Sequence, residues 1–117
     1  MTLDIVGNYT DDFGDEHAIR EGFWEMNFGG TDIYTYTITQ YDNTAGSLVA
    51  ENGSDTGEEA GYWSRFDWTY TSTGDLYACQ TDAFAASEAD ALLVPAADAG
   101  DLDGGCPGYG WLKLQPI

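Results

Sequence analysis

IYTYTITQY, at residues 33–41, alternates apolar side chains with threonines and decides the fold. An extended chain turns successive side chains to opposite faces, and the apolar face here carries Tyr34, Tyr36 and Ile38. WSRFDWTY, at residues 63–70, repeats this period. The apolar face of that segment carries Phe66, Trp68 and Tyr70. Strands with one buried face and one solvent-exposed face are typical of an antiparallel sheet.

Short stretches of the same kind recur along the chain, separated by residues that favour turns. The predicted strands cover residues 5–10, 18–28, 33–41, 47–51, 62–71, 76–81 and 110–115. A short helix is predicted before the last strand, with Ser87 as its N-cap and Pro95 as its stop. The chain therefore predicts one all-β domain, residues 1–117. We expect a single antiparallel barrel or sandwich of about seven to eight strands, with the helix near the C-terminus.

The charge of the chain restricts its partners. Asp and Glu number 21 against three basic residues, which gives a net charge of −18. Such a surface repels nucleic-acid phosphates and anionic membranes, and it attracts cations. Because 43% of the residues are hydrophobic and 15% are aromatic, the chain still has enough apolar surface to fold around a core.

Cys79 and Cys106 are the two cysteines of the chain. An even number in a small acidic domain favours a disulfide, the alternative being two reduced and buried thiols. Neither cysteine has a CxxC partner or a nearby histidine, which argues against a metal site. We expect a secreted or cell-surface protein whose leader is absent from this sequence.

Several longer strings carry a resemblance to known proteins. They are YTDDFG at 9–14, WSRFDWT at 63–69, LYACQ at 76–80 and GCPGYGWLKL at 105–114. Together they resemble small secreted or lipoprotein β domains of myxobacterial-type bacteria. This resemblance implies an exported protein with Cys79 paired to Cys106, and it assigns no catalytic or binding residue. GNY at 7–9 is similar to the G-x-W opening of lipocalin-like barrels, which implies a lipocalin- or avidin-style barrel.

The aromatic residues are the strongest candidates for recognition. Flat rings rimmed by Asp, Asn and Gln stack on sugar rings, while carboxylates accept hydrogen bonds from hydroxyl groups. We therefore predict a non-catalytic extracellular binding or surface domain with carbohydrate as its ligand. The predicted ligand-binding residues are Trp63, Trp24, Arg65 and Asp67, of which the last two are expected to form an ion pair. The alternative for the tryptophans is that they fill the core.

Two other functions stay open. A lipocalin- or avidin-like barrel would bind a small apolar ligand in an internal cavity. A structural surface protein would instead be stabilised by calcium, the one cofactor that the sequence suggests, since hard oxygen ligands on a flexible loop suit this ion. The predicted calcium ligands are Asp98, Asp101 and Asp103 in a Gly-rich segment. The alternative for these aspartates is solvated charge.

His17 is the single histidine and follows four acidic residues. A carboxylate-rich metal site with one imidazole is conceivable there. We favour a histidine that begins a strand and bonds a local carboxylate. The sequence has no nucleophile elbow and no phosphate-binding loop, so we do not expect an enzyme.

Overall fold

The computed structural model describes residues 2–30 and 32–117, and in these residues eight strands follow one another in antiparallel hairpins. They are β1 (Gly7–Thr10), β2 (Glu16–Ile19), β3 (Phe23–Asn27), β4 (Ile33–Asp42), β5 (Ser47–Asn52), β6 (Trp63–Tyr70), β7 (Leu76–Ala85) and β8 (Leu112–Pro116). A 3₁₀ turn at Gly57–Glu59 precedes β6, and the helix α1 (Glu88–Leu93) follows β7.

The sheet closes into a barrel, because the last strand pairs with the first. This confirms the all-β prediction and decides between barrel and sandwich. The closing seam is short: β1 and β8 share only two residue pairs, Tyr9 with Pro116 and Thr10 with Gln115. Each of the other strands pairs with its neighbours in the chain, so the barrel is an up-and-down meander.

The strand predicted over residues 18–28 is wrong, because this stretch forms a hairpin of β2 and β3. The backbone N–H of Arg20 donates to the carbonyl of Phe23 at 2.8 Å and closes a tight turn. The Arg20 guanidinium then ties this turn to β1 by donating to the carbonyl of Gly7 at 3.2 Å. Only Gly22 marks the turn in the sequence.

The barrel interior is filled mainly by the apolar faces that the alternation predicted. Trp24 stacks on Phe66 with ring centroids 4.4 Å apart, and Tyr36 meets Phe66 edge-on at 5.3 Å. Offset stacks and edge contacts of this kind are the favoured geometries of aromatic pairs. Tyr70 lies at the end of its strand and is half exposed, so it contributes less to the core than its face predicted.

The predicted helix and the predicted disulfide are both present, and they lie outside the barrel wall. Ser87 caps α1, because its hydroxyl accepts a hydrogen bond from the backbone N–H of Asp90 at 3.1 Å. Cys79 on β7 is bonded to Cys106 in the connection between α1 and β8. This bond fixes the long connection against the outer face of the barrel. No helix in the described ranges is long and apolar enough to cross a membrane.

The two ends of the barrel differ. At one end the segment before β1 covers the interior, with Leu3 and Ile5 buried and the Tyr9 hydroxyl donating to the carbonyl of Ile5 at 2.9 Å. The other end is formed by the turns after β1, β3 and β5 and by the connection after β7. We call these the closed end and the open end. Leu3 and Ile5 cover the interior at the closed end, whereas the larger space that reaches buried strand residues lies at the open end.

Candidate ligand-binding site

A cavity of about 310 Å³ lies at the open end of the barrel. Its floor consists of buried side chains from the strands, namely Trp24, Met26, Phe66 and Ala78. Its rim consists of exposed aromatic side chains from the turns and the last connection, namely Phe13, Phe28 and Tyr109. Small-molecule sites usually have this form, a concave and mostly apolar space with a few polar groups.

His17 on β2 lines this cavity with both ring nitrogens occupied. Its Nδ1 accepts from the indole Nε1 of Trp24 at 3.0 Å, and its Nε2 lies 2.8 Å from Oδ2 of Asp11. An indole N–H can only donate, so Nδ1 carries no proton and the proton of the neutral ring lies on Nε2. His17 therefore donates to the Asp11 carboxylate, which confirms that it bonds a local carboxylate at the start of a strand.

The Asp11 carboxylate continues this chain of bonds into the turn after β1. Its Oδ1 accepts from the backbone N–H of Phe13 at 2.9 Å and from that of Asp15 at 3.0 Å. The side chains of Trp24, His17 and Asp11 thus form a hydrogen-bonded series, which we call the relay. The relay connects the cavity floor to the rim and fixes the turn that carries Phe13 and Asp15.

A second polar cluster closes the other part of the open end. Oε1 of Glu59 accepts from the Tyr36 hydroxyl at 2.7 Å and from Nε2 of Gln80 at 3.0 Å. Gln80 also donates to Ser64, whose hydroxyl donates to Oδ1 of Asn52 at 2.6 Å. Burial, and then the bond to Glu59, raises the pKa of Tyr36 well above its usual range. The hydrogen-bond donors of this cluster are therefore all satisfied within the protein.

Trp24 does not present the flat exposed ring that carbohydrate stacking requires. It is only 1% exposed, and Phe66 covers one of its faces. The prediction that Trp24 is an exposed stacking platform is therefore wrong, because the ring points into the barrel. Trp24 still borders the cavity, as part of its floor.

Trp63 lies on the outer wall and away from the cavity. Its ring is partly buried and packs against Val49, Ala85 and Ala91, beneath α1. The structure therefore places the two predicted tryptophans on opposite sides of the wall and does not combine them into one surface.

Arg65 and Asp67 form the ion pair that the alternation predicted. Two nitrogens of the guanidinium donate to the two oxygens of the carboxylate, Nη2 to Oδ1 at 2.9 Å and Nε to Oδ2 at 3.1 Å. Asp67 is buried and also accepts from the hydroxyl of Thr81 and from the backbone N–H of Ala97. Arg65 borders an outer groove of about 530 Å³ between the β4–β5 hairpin and α1. Asp67 neutralises the charge of Arg65 and also binds the backbone N–H of Ala97. The ion pair therefore holds the connection after β7 in place.

The Gly-rich loop does not assemble a calcium site. Oδ1 of Asp98 accepts from the backbone N–H of Gly100, and Oδ1 of Asp101 accepts from that of Gly104. Asp103 is exposed in the same loop. Within the described part of the chain, no group of three or more His, Cys, Asp or Glu side chains comes together so that it could hold a metal ion. These aspartates shape turns, as Asp side chains commonly do.

The sequence did not point to several residues of the cavity. Phe13 and Tyr109 are 81% and 75% exposed and lie in loops almost a hundred residues apart. The sequence places Gln80 on a predicted strand and suggests no part for it in a site. An aromatic residue within a turn, as in the DFGD segment at 12–15, is the one available signal, since turns seldom need a ring.

The cavity thus combines a rigid aromatic floor, an exposed aromatic rim and the carboxylates of one turn. Comparison with protein-family models, with curated proteins and with solved structures finds no match for this chain.

Proposed function

We propose that this protein binds a small, largely apolar molecule at the open end of its barrel, without changing it chemically. The observation that carries this proposal is the cavity of about 310 Å³ with an aromatic floor. Eight-stranded barrels are just wide enough to hold one small ligand, and pockets of about 300 Å³ and more are typical of such sites. Of the functions that the sequence left open, we therefore favour a lipocalin- or avidin-like mode of binding.

The floor of the cavity is organised before a ligand arrives. The relay holds the Trp24 ring from one edge, and Phe66 stacks on its face. A ligand that packs against such rings loses less free energy to ordering of the protein than one that binds a mobile surface. Preorganisation of the floor therefore supports a binding role.

An apolar ligand is favoured over a carbohydrate by the positions of the tryptophans. Trp24 is 1% exposed and lies at the floor of a cavity, and Trp63 is partly covered by the helix. The rings exposed at the rim are Phe13, Phe28 and Tyr109, and they come from three separate segments that line one concave space. Sugar stacking needs a platform, whereas an apolar molecule needs an enclosure.

We also propose that the protein works outside the cytoplasm. The Cys79–Cys106 disulfide supports this proposal, because disulfides persist mainly in oxidising compartments.

A binding role without catalysis agrees with the state of His17, whose ring nitrogens are both engaged in structural bonds.

The neutral fluorescent probe N-phenylnaphthylamine tests the binding role. We expect saturable binding with a rise in probe fluorescence and quenching of tryptophan emission, since Trp24 forms part of the floor. Ala78→Phe fills the cavity and should abolish binding. Ala89→Phe adds the same ring on the exposed side of α1 and should leave binding unchanged.

A further pair of variants guards against a folding defect in the filled variant, since overpacking costs about 1–3 kcal/mol. Phe28→Ala and Tyr109→Ala change only exposed rim residues and should each weaken probe binding severalfold. Absence of saturable binding to the wild-type protein, or equal binding to the Ala78→Phe variant once it is shown to be folded, would refute the proposed function.

A further inference from the structure

We propose that the ligand is a small organic cation, with its apolar part against the aromatic floor and its ammonium group at the rim beside Asp15. This inference rests on the proposed function and specifies the ligand of the same cavity. Three features of the described residues carry it: the hydrogen-bonding groups that the cavity offers, the placement of the basic residues and the aromatic rings of the rim.

The side chains of the cavity offer acceptors and few donors. The Nε1 proton of Trp24 and the Nε2 proton of His17 are both used within the relay. Both Nε2 protons of Gln80 are used as well, one by Glu59 and one by Ser64. The hydroxyl of Tyr109 is the one side-chain donor of the lining that makes no hydrogen bond among the described residues.

The acceptors of the lining are available. The Asp15 carboxylate borders the cavity and makes no hydrogen bond or ion pair with any residue in the described ranges. The Nε2 group of Gln80 must face the Glu59 carboxylate, because a carboxylate can only accept, and this leaves Oε1 of Gln80 free to accept. A ligand that complements this cavity therefore has to donate hydrogen bonds, as an ammonium group does.

The basic residues all lie away from the open end. Arg20 is bonded to the carbonyl groups of Gly7 and Ile19 beside the closed end. Arg65 is engaged by Asp67 on the outer wall, and Lys113 lies 3.9 Å from Asp75. None of the three borders the cavity, so no protein cation offsets the carboxylates there.

The negative field at the open end is consequently unopposed. The turn after β1 alone contributes Asp11, Asp12 and Asp15. A concave site lined by charges of one sign concentrates ligands of the opposite sign. An anionic ligand would be repelled, and a neutral one would leave the Asp15 carboxylate without a partner.

The aromatic rings favour an organic cation over an inorganic one. Ammonium groups are attracted to the faces of aromatic rings, and rings that surround a quaternary ammonium are a common recognition device. Phe13, Phe28 and Tyr109 line the same cavity as Asp15. A bare metal ion would need several oxygen ligands around one point, and the described residues bring no such group together.

The test uses three ligands of one shape and different charge: naphthylmethylammonium, naphthylmethanol and naphthoate. Each is titrated against the complex of the protein with N-phenylnaphthylamine, at neutral pH and physiological ionic strength. We expect the ammonium compound to displace the probe about tenfold more effectively than the neutral alcohol, and naphthoate to be the weakest.

Two charge variants locate the effect. Asp15→Asn should weaken the affinity for the ammonium compound about threefold to fivefold and leave the affinity for the alcohol unchanged. Asp4→Asn, at the closed end, changes the net charge by the same amount and should leave all three affinities unchanged. Equal affinity for the ammonium compound and the alcohol would overturn the inference, as would equal losses in the two variants, while the proposed function would stand. Failure of the probe itself to bind would refute both.

Discussion

The indole N–H of Trp24 donates to Nδ1 of His17 across 3.0 Å, and this bond fixes the proton of the histidine on the opposite nitrogen. The two residues lie on adjacent strands, with their ring planes inclined at 72°. Because Nε2 then donates to Asp11, one buried ring orders both the floor of the cavity and the turn at its rim. A histidine so placed positions both the floor and the rim of the cavity.

Replacing this histidine tests its structural importance. His17→Ala leaves the Trp24 N–H without its partner, removes a donor from Asp11 and opens a void in the wall. Together these losses should lower the free energy of unfolding by about 2–4 kcal/mol. Urea denaturation measures the change.

The neighbouring Glu16 gives the matched control for that measurement, because its side chain is exposed on the same strand. Glu16→Ala should have little effect on the urea midpoint. If the two variants proved equally stable, the relay would have no structural role.

The Arg65–Asp67 pair should be worth more to stability than its position on the outer wall suggests. Asp67→Asn keeps the shape but removes the charge from a buried carboxylate that binds Arg65, Thr81 and Ala97. Breaking one side of a buried pair costs about 3–5 kcal/mol, so we expect a clear fall in melting temperature. Asp75→Asn, at the more exposed pair with Lys113, should show almost none. Similar melting temperatures for the two variants would contradict this prediction.

Tyr36 should make stability depend on alkaline pH. Burial and the bond to Glu59 raise the pKa of Tyr36 in the folded protein, whereas an unfolded tyrosine ionises near its ordinary value of about 10. The contribution is therefore fully present below that pH. It falls as the pH rises further, because the unfolded chain releases a proton that the folded protein retains.

Unfolding free energies measured between about pH 8 and pH 11 test this dependence. Tyr36→Phe should flatten the alkaline fall without removing it, since burial also raises the pKa of Tyr9 and of Tyr70. Parallel profiles for wild type and variant would show that Tyr36 is not responsible.

The disulfide should affect both stability and binding. Cys79 and Cys106 are 27 positions apart, and the chain-entropy relation gives about 3.6 kcal/mol for a loop of this length. Replacing both cysteines by alanine should lower the free energy of unfolding by about that amount. Because Cys106 pairs with Tyr109 through a β-bridge, the variant should also bind N-phenylnaphthylamine more weakly. Unchanged affinity in the folded variant would show that the bridge does not hold the rim.

Local patterns in the sequence predicted much of the fold. The alternation along β6 placed Phe66 inside and Arg65 and Asp67 together outside, because side-chain direction in a strand follows directly from position. The cap at Ser87 could be predicted for a similar reason, since it depends only on residues within one turn of helix.

The hairpin of β2 and β3 could not be predicted in this way. Arg20 stabilises the turn through bonds to β1, and such contacts between strands leave no mark on the local pattern. Without this turn, the pairing of Trp24 with β4 could not be predicted. The direction of its side chain into the barrel could not be predicted either.

The cavity was hidden for a related reason. Its rim joins the turn after β1 to the connection before β8, and only closure of the barrel brings these segments together. Closure itself depends on the two residue pairs between β1 and β8 and on the bond from the Ile117 N–H to the Asn8 carbonyl, and no periodic pattern predicts these contacts.

The brevity of that seam has a consequence for the motions of the molecule. Amide protons along it are protected by few neighbouring bonds, so hydrogen exchange should be fastest there and slowest across the long β6–β7 ladder. The wall that separates fastest would then adjoin Leu112, a lining residue of the cavity. Opening of the seam would widen the passage to the interior and, under the proposed function, set the rate at which a bound ligand dissociates.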